Sequence, residues 1–128
     1  MAATITGRVT ERLEPLVKLR LMAGREVECL VDTGFVGGAL VLPQSLVDEL
    51  GLPVIGQEDD LWMVGNERTT AALAAAQIEW LGEIKSVIVV VKDDLLIGTQ
   101  LLENTQLVID YAARTLTINR REESAGED

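Results

Sequence analysis

The sequence predicts an all-β fold with one or two short helices, and three observations carry the prediction. Apolar residues make up 48% of the chain while aromatics make up only 3%, so a core must be assembled mostly from Val, Leu, Ile and Ala. Short alternating or wholly apolar stretches bounded by turn residues recur along the chain. Helix signals are confined to two brief segments.

The elements follow in order. Val17 to Met22 alternates, Ala23-Gly24-Arg25 supplies a turn, and Glu26 to Val31 alternates before turning wholly apolar. This is a hairpin whose second strand enters the core. Ala39-Leu40-Val41-Leu42 is a short apolar strand. Pro43 to Gly51 reads as a helix opened by Pro and closed by Gly, with Leu46, Val47 and Leu50 facing the core.

Leu52 to Asp60 reads as an acidic loop, followed by a hairpin whose first arm is Leu61 to Val64 and whose turn is Gly65-Asn66-Glu67-Arg68. The run Ala71 to Ala76 prefers helix on intrinsic propensity. Its strand-like flanks and its continuation into Gln77-Ile78-Glu79-Trp80 favour a strand. Ile84 to Val91 is a strand, Thr99 to Asn104 a short helix, and Gln106 to Asp110 and Thr115 to Asn119 two more strands joined by Tyr111 to Arg114.

At 128 residues the chain suits one domain with one core. The expected division is an N-terminal segment, 1–15, available for a dimer contact, a domain over 16–120, and a disordered acidic tail over 121–128. Eleven Lys and Arg against 21 Asp and Glu leave a net charge of -10, which repels phosphate backbones and anionic lipid. Nucleic acid and membrane are therefore not expected partners. The longest apolar run, Val87 to Val91, falls far short of the roughly 20 residues of a membrane helix. With no signal-like segment, the expected location is cytoplasmic.

One cysteine leaves no disulfide framework and no cysteine-rich zinc site, and histidine is absent. That absence removes Ser-His-Asp and Cys-His hydrolysis and imidazole acid-base chemistry. Carboxylates are the leading candidates for any chemistry, and no metal or cofactor is expected.

Three features stand in a telling order. Leu30-Val31-Asp32-Thr33-Gly34 follows the N-terminal hairpin, Leu61 to Trp80 forms a second hairpin, and Leu95-Leu96-Ile97-Gly98 leads into Thr99-Gln100-Leu101-Leu102. In this order, over roughly residues 16 to 119, the chain resembles the single-domain aspartic proteases of the retroviral-protease type and their bacterial relatives. The continuation Phe35-Val36-Gly37 resembles a bacterial subgroup of that family.

The resemblance implies a closed, barrel-like acid-protease fold acting as a homodimer on a peptide or protein substrate. Peptide hydrolysis without metal or histidine needs a base to activate water and an acid to polarise the carbonyl, and two adjacent carboxyls sharing one proton supply both. The chain contains one Asp-Thr-Gly, at Asp32, so a two-fold dimer must bring the second carboxyl. By resemblance, Asp32 is catalytic, Thr33 braces the two loops across the dimer, and Gly34 lets the backbone approach the pair. Substrate would be held by Phe35 and by the flap residues Met63, Val64, Gly65 and Asn66. Phe35 is larger than the residue usual there in viral members, and either lines a subsite or obstructs it. Gly65 is the sole glycine of a flap turn that is richer in glycine in the viral type.

Plainer roles stand beside these. Asp32 ahead of Gly34 also suits a simple turn, and the same fold without activity would be a dimeric peptide-binding module. Cys29 reads as a small buried hydrophobe. Asp59-Asp60 and Asp93-Asp94 lack calcium-loop spacing and read as solvated loops. Trp62 and Trp80 either pack or approach substrate near the flap, and Leu96, Ile97 and Leu101 read as core.

Overall fold

The computed structural model describes residues 3–62 and 68–121. Ten strands and two short helices follow one another as β1 (Thr4–Val9), β2 (Pro15–Leu21), β3 (Arg25–Val31), β4 (Leu40–Leu42), α1 (Gln44–Leu50), β5 (Val54–Trp62), β6 (Arg68–Trp80), β7 (Glu83–Val91), β8 (Leu96–Ile97), α2 (Thr99–Leu102), β9 (Thr105–Asp110) and β10 (Thr115–Arg120). The fold is all-β, as expected. No described helix is long and apolar enough to cross a membrane.

The strands make one sheet in the order β5-β6-β7-β4-β8-β3-β2-β1-β10-β9. Pairing of β2 with β6, at Arg20–Glu79 and Leu21–Ile78, closes six of them into a barrel. The ring runs β6, β7, β4, β8, β3, β2 and back to β6. Alternation decides what fills it: Val17, Leu19 and Leu21 from β2, Val27, Cys29 and Val31 from β3, Ala74, Ala76 and Ile78 from β6, and Val87 and Val89 from β7 are buried in one cluster.

The Ala-rich segment is a strand, with Ala74 fully buried inside the barrel and paired with Val89. Ala74 shares the core cluster with Leu19, Leu40 and Leu42, and its burial in a paired strand overrides the helix propensity of alanine. Helix α1 begins after Pro43 and ends at Gly51, whose φ of 64° is the left-handed stop that glycine provides. Leu46 and Val47 are buried, and Leu50 is half-buried against the same core.

Two stretches differ from expectation. Thr4–Val9, set apart from the domain in the sequence reading, is a strand between β2 and β10. Its apolar alternation is broken by Gly7, where any Cβ would overlap the Leu16 carbonyl and stand 2.8 Å from Val17 Cγ1. Close approach of β1 to β2 thus removed the side chain that would have signalled a strand. Arg8 and Glu28 also form a two-pronged ion pair across β2, with both N–O distances 2.8 Å. Its first cause, the hydrogen bond from Arg8, holds the Glu28 carboxyl below the ordinary range.

Val54–Asp60 is not a loop but most of β5, hydrogen-bonded to β6 along one edge. Val54 through Glu58 are all exposed. With no buried face there is no apolar alternation to read.

Ile97 is fully buried and pairs with both Val31 and Leu40. Ile97→Ala is expected to lower unfolding free energy by about 2–5 kcal/mol, measured by urea denaturation. An exposed position such as Ser45, changed to Ala, should move it by less than about 0.5 kcal/mol.

Candidate active site

Strand β8 lies between β3 and β4, which are consecutive in the chain. It runs parallel to β3, with Leu30 beside Leu96 and Val31 beside Ile97, and antiparallel to β4. The segment Asp32–Ala39 must therefore cross over the end of β8, spanning about two strand spacings of roughly 4.8 Å. Asp32 is the first residue of that crossing.

Asp32 is fixed on its backbone side, where its N–H donates to the Ile97 carbonyl at 2.9 Å and its own carbonyl accepts from Phe35 N–H at 3.1 Å. Its side chain is half-buried, and Oδ1 accepts the Gly34 N–H at 2.9 Å. A Cβ at Gly34 would stand 3.1 Å from that oxygen, so glycine leaves the carboxylate room. Thr33 and Gly34 are exposed. The turn expected of Asp32 is present, and the same turn presents one carboxylate oxygen with a donor already engaged.

The rest of the crossing is held from below by the residues after β8. Gly98 N–H donates to Ala39 O, Thr99 N–H to Phe35 O and Gln100 N–H to Gly38 O, all at 3.0–3.1 Å. Thr99 Oγ1 accepts the Gly37 N–H at 2.8 Å and lies 3.5 Å from Phe35 O. The contribution of Thr99 was not foreseen, because a threonine at a helix start looks the same in sequence whether or not a loop lies above it.

Phe35 is half-buried, and its ring occupies the space left by two glycines. A Cβ on Gly38 would overlap the ring, and one on Gly98 would overlap the Gly38 carbonyl and come within 2.6 Å of Phe35 Cδ2. The ring packs with Leu73 and Leu96 against the buried Val41, Ala71 and Val90. These residues alternate with Leu40, Leu42, Ala74, Val89 and Ile97, which point into the barrel. The wall next to Asp32 is consequently apolar on both faces, and Phe35 belongs to its outer one. Leu96, expected as core, is half-buried in this outer cluster, while Ile97 and Leu101 lie in the barrel core. The wholly apolar runs Leu40–Leu42 and Val89–Val91 are the signal of a wall covered on both sides.

Of the substrate-contacting residues expected from sequence, Phe35 lies beside Asp32, whereas Met63, Val64, Gly65 and Asn66 fall outside the described residues. The hairpin that carries them is described in its arms, β5 and β6, paired as far out as Trp62 with Arg68. Trp80 is 2% exposed in the barrel core and packs rather than facing the hairpin tip. Asp93 and Asp94 are exposed, and no group of three or more Cys, Asp or Glu among the described residues is arranged to hold a metal ion. Cys29 is fully buried, and its thiol is pushed up to about 12, first by burial and then by the nearby charge of Glu28.

Comparison with known proteins agrees with this architecture. The chain is 29% identical over 111 residues to an uncharacterized protein of Archaeoglobus fulgidus, covering 82% of this chain and 86% of that one. Its structure is similar to that of EIAV protease in complex with an inhibitor, with a TM-score of 0.57 at 19% identity, over 74% of this chain and 92% of that chain. The likeness establishes a retroviral-protease fold. No family model matches the chain.

Two outcomes check the site geometry. Gly98→Ala is expected to destabilise the fold by about 1–3 kcal/mol, because backbone carbonyls as well as the ring obstruct the added methyl; thermal denaturation equal to wild type would contradict the packing. Cys29, protonated until near pH 12, should react with a thiol reagent at about pH 8 only as fast as the protein unfolds. Rapid labelling of the folded protein would show the strand open at that point.

Proposed function

We propose that the chain is an aspartic endopeptidase whose active site forms when two copies place their Asp32 carboxyls side by side. The observation that carries this reading is the position of Asp32. It is half-buried at the start of a loop tied down by Ile97 and Thr99, within a retroviral-protease fold. A turn residue with no further role needs neither the crossing over β8 nor the apolar wall beside it.

In the proposed dyad one carboxylate takes a proton from water as the oxygen attacks the scissile carbonyl, and the protonated carboxyl gives its proton to the carbonyl oxygen. The resulting gem-diol collapses as the first Asp gives its proton to the departing nitrogen and the second takes one from a gem-diol hydroxyl, so that the C–N bond breaks, the product carbonyl forms and the dyad again holds one shared proton. Thr33, exposed beside Asp32, braces the paired loops, and Gly34 keeps the backbone clear of the carboxylates. No metal and no covalent intermediate take part.

Phe35 is assigned to a subsite wall together with Leu73 and Leu96. The packing of its ring onto Gly38 and Gly98 supports the subsite role over obstruction, because the ring lies along the wall. Met63, Val64, Gly65 and Asn66 are assigned to the flap that closes over an extended peptide paired to the protein by its backbone. An apolar wall favours apolar substrate side chains next to the scissile bond, and the net charge of -10 favours basic flanking segments.

Peptide-library cleavage between about pH 4 and 7 tests the reading. Asp32→Asn should lower turnover by about 10²–10⁴-fold while leaving the circular dichroism spectrum unchanged. Equal cleavage by the variant refutes the dyad. Peptide binding without turnover in wild type, retained in Asp32→Asn, assigns the chain instead to the silent peptide-binding module.

A further inference from the structure

The crossing Asp32–Ala39 arches over the end of β8 and is pinned there by Thr99 at Phe35 and Gly37 and by Gln100 at Gly38. An arch held this way encloses a hollow, and the chain fills it with a ring of its own. The tip of Phe35, Cζ with both Cε carbons, is turned to Gly38, where a Cβ would overlap it, and Cδ2 stands 2.6 Å from the place a Cβ on Gly98 would take. Arch and floor are both bare of side chain where the ring reaches them.

The same ring borders the approach to Asp32. Leu30 pairs with Leu96, and both lie on the outer face of the barrel because their neighbours Val31 and Ile97 point inward. Asp32, two residues beyond Leu30 and still bonded to β8 through the Ile97 carbonyl, continues that face. Phe35 packs with Leu96, and with Leu73 of the hairpin arm, over Val41, Ala71 and Val90. The ring thus sits between the loop that carries the carboxylate and the arm that leads to the proposed flap, and half-burial leaves part of it open.

We infer that Phe35 is a specificity-determining residue: its ring occupies the hollow that a substrate side chain would otherwise enter beside Asp32, so the peptide residue passing over it must be small, glycine or alanine. The inference rests on the endopeptidase reading for what passes over the ring, and on packing alone for the hollow. A methyl at position 35 would leave a pocket bounded by Gly38, Gly98 and the cluster of Val41, Ala71 and Val90. Its nearest carbonyls are already engaged, Phe35 O by the Thr99 N–H and Gly38 O by the Gln100 N–H. What enters such a pocket is therefore apolar. The preference of the wall for apolar residues is narrowed, in wild type, to the smallest of them.

A peptide library randomised around the cleaved bond, with products read by mass spectrometry, tests this. Wild type is expected to require glycine or alanine at one position beside the bond. Phe35→Ala should accept leucine or phenylalanine at that position, raising kcat/KM for the large residue relative to alanine by about tenfold or more while preferences elsewhere stay as they were. Phe35→Leu, which keeps more of the packing, should move the ratio part of the way, and thermal denaturation identifies which variants are folded. Binding of the same peptides to Asp32→Asn, with and without Phe35→Ala, reads the preference in the absence of turnover.

Folded Phe35 variants whose preferences match wild type overturn the inference and leave the endopeptidase standing. A wild type that takes leucine or phenylalanine as readily as alanine at every position overturns it as well. A shift in binding preference from small to large, in a chain that cleaves nothing, keeps the role of Phe35 and removes the protease. A wild type that neither cleaves nor binds peptides removes both.

Discussion

The structure depends on one insertion: a two-residue strand, β8, lies between the strands that precede and follow Asp32. The Asp32 N–H bonds the Ile97 carbonyl, and the next residue, Gly98, lies under the loop at a spot where a single added carbon would meet backbone and ring together. Because β8 fills the gap between β3 and β4, the chain leaving β3 cannot turn straight into β4. It must arch, and the arch is what lifts the carboxylate out of the barrel. Remove β8 and the barrel loses a stave and the loop loses its floor in the same event.

The second consequence of that insertion is a wall with two apolar faces. β4, β7 and β8 put Leu40, Leu42, Val89 and Ile97 inside the barrel and Val41, Val90 and Leu96 outside it. Antiparallel sheets that face water on one side do not need the outer set, whereas a wall that is covered on both sides does. Here the cover is supplied by Phe35 from the arch and by Ala71 and Leu73 from the hairpin arm. Packing of the arch and packing of the hairpin are thereby coupled through one small cluster, and the large residue after Asp-Thr-Gly is accommodated because positions 38 and 98, against its ring, are both glycine.

A single chain holds one Asp32, and the proposed chemistry needs two carboxyls within hydrogen-bonding reach of one water. This shifts attention from the site to the edges of the sheet, where the two ends of one sheet follow opposite rules. β5 carries two register shifts and three acids, while β9 is regular and uncharged through its first five residues. Regular, uncharged edges are open to pairing, whereas bulged and charged ones resist it.

The sequence by itself determined the all-β class, the hairpin before Asp32, the brief helices bounded by Pro43 and Gly51 and by Gly98, and the order of motifs around Asp32. These are legible because they are local: alternation, turn residues and caps act over a few neighbouring positions. It also pointed to Phe35 as the residue that departs from the viral pattern, without showing where its ring goes. Only the tertiary structure decided that Gly7 interrupts a true strand, that the Ala run is a barrel stave, that the acidic stretch before Trp62 is an edge, and that Thr99 holds the Asp32 loop. Each of these depends on what lies across from the residue and not beside it in the chain. A methyl excluded by the Leu16 carbonyl, or a hydroxyl meeting the Gly37 amide from 62 positions away, leaves no periodicity for a sequence to display.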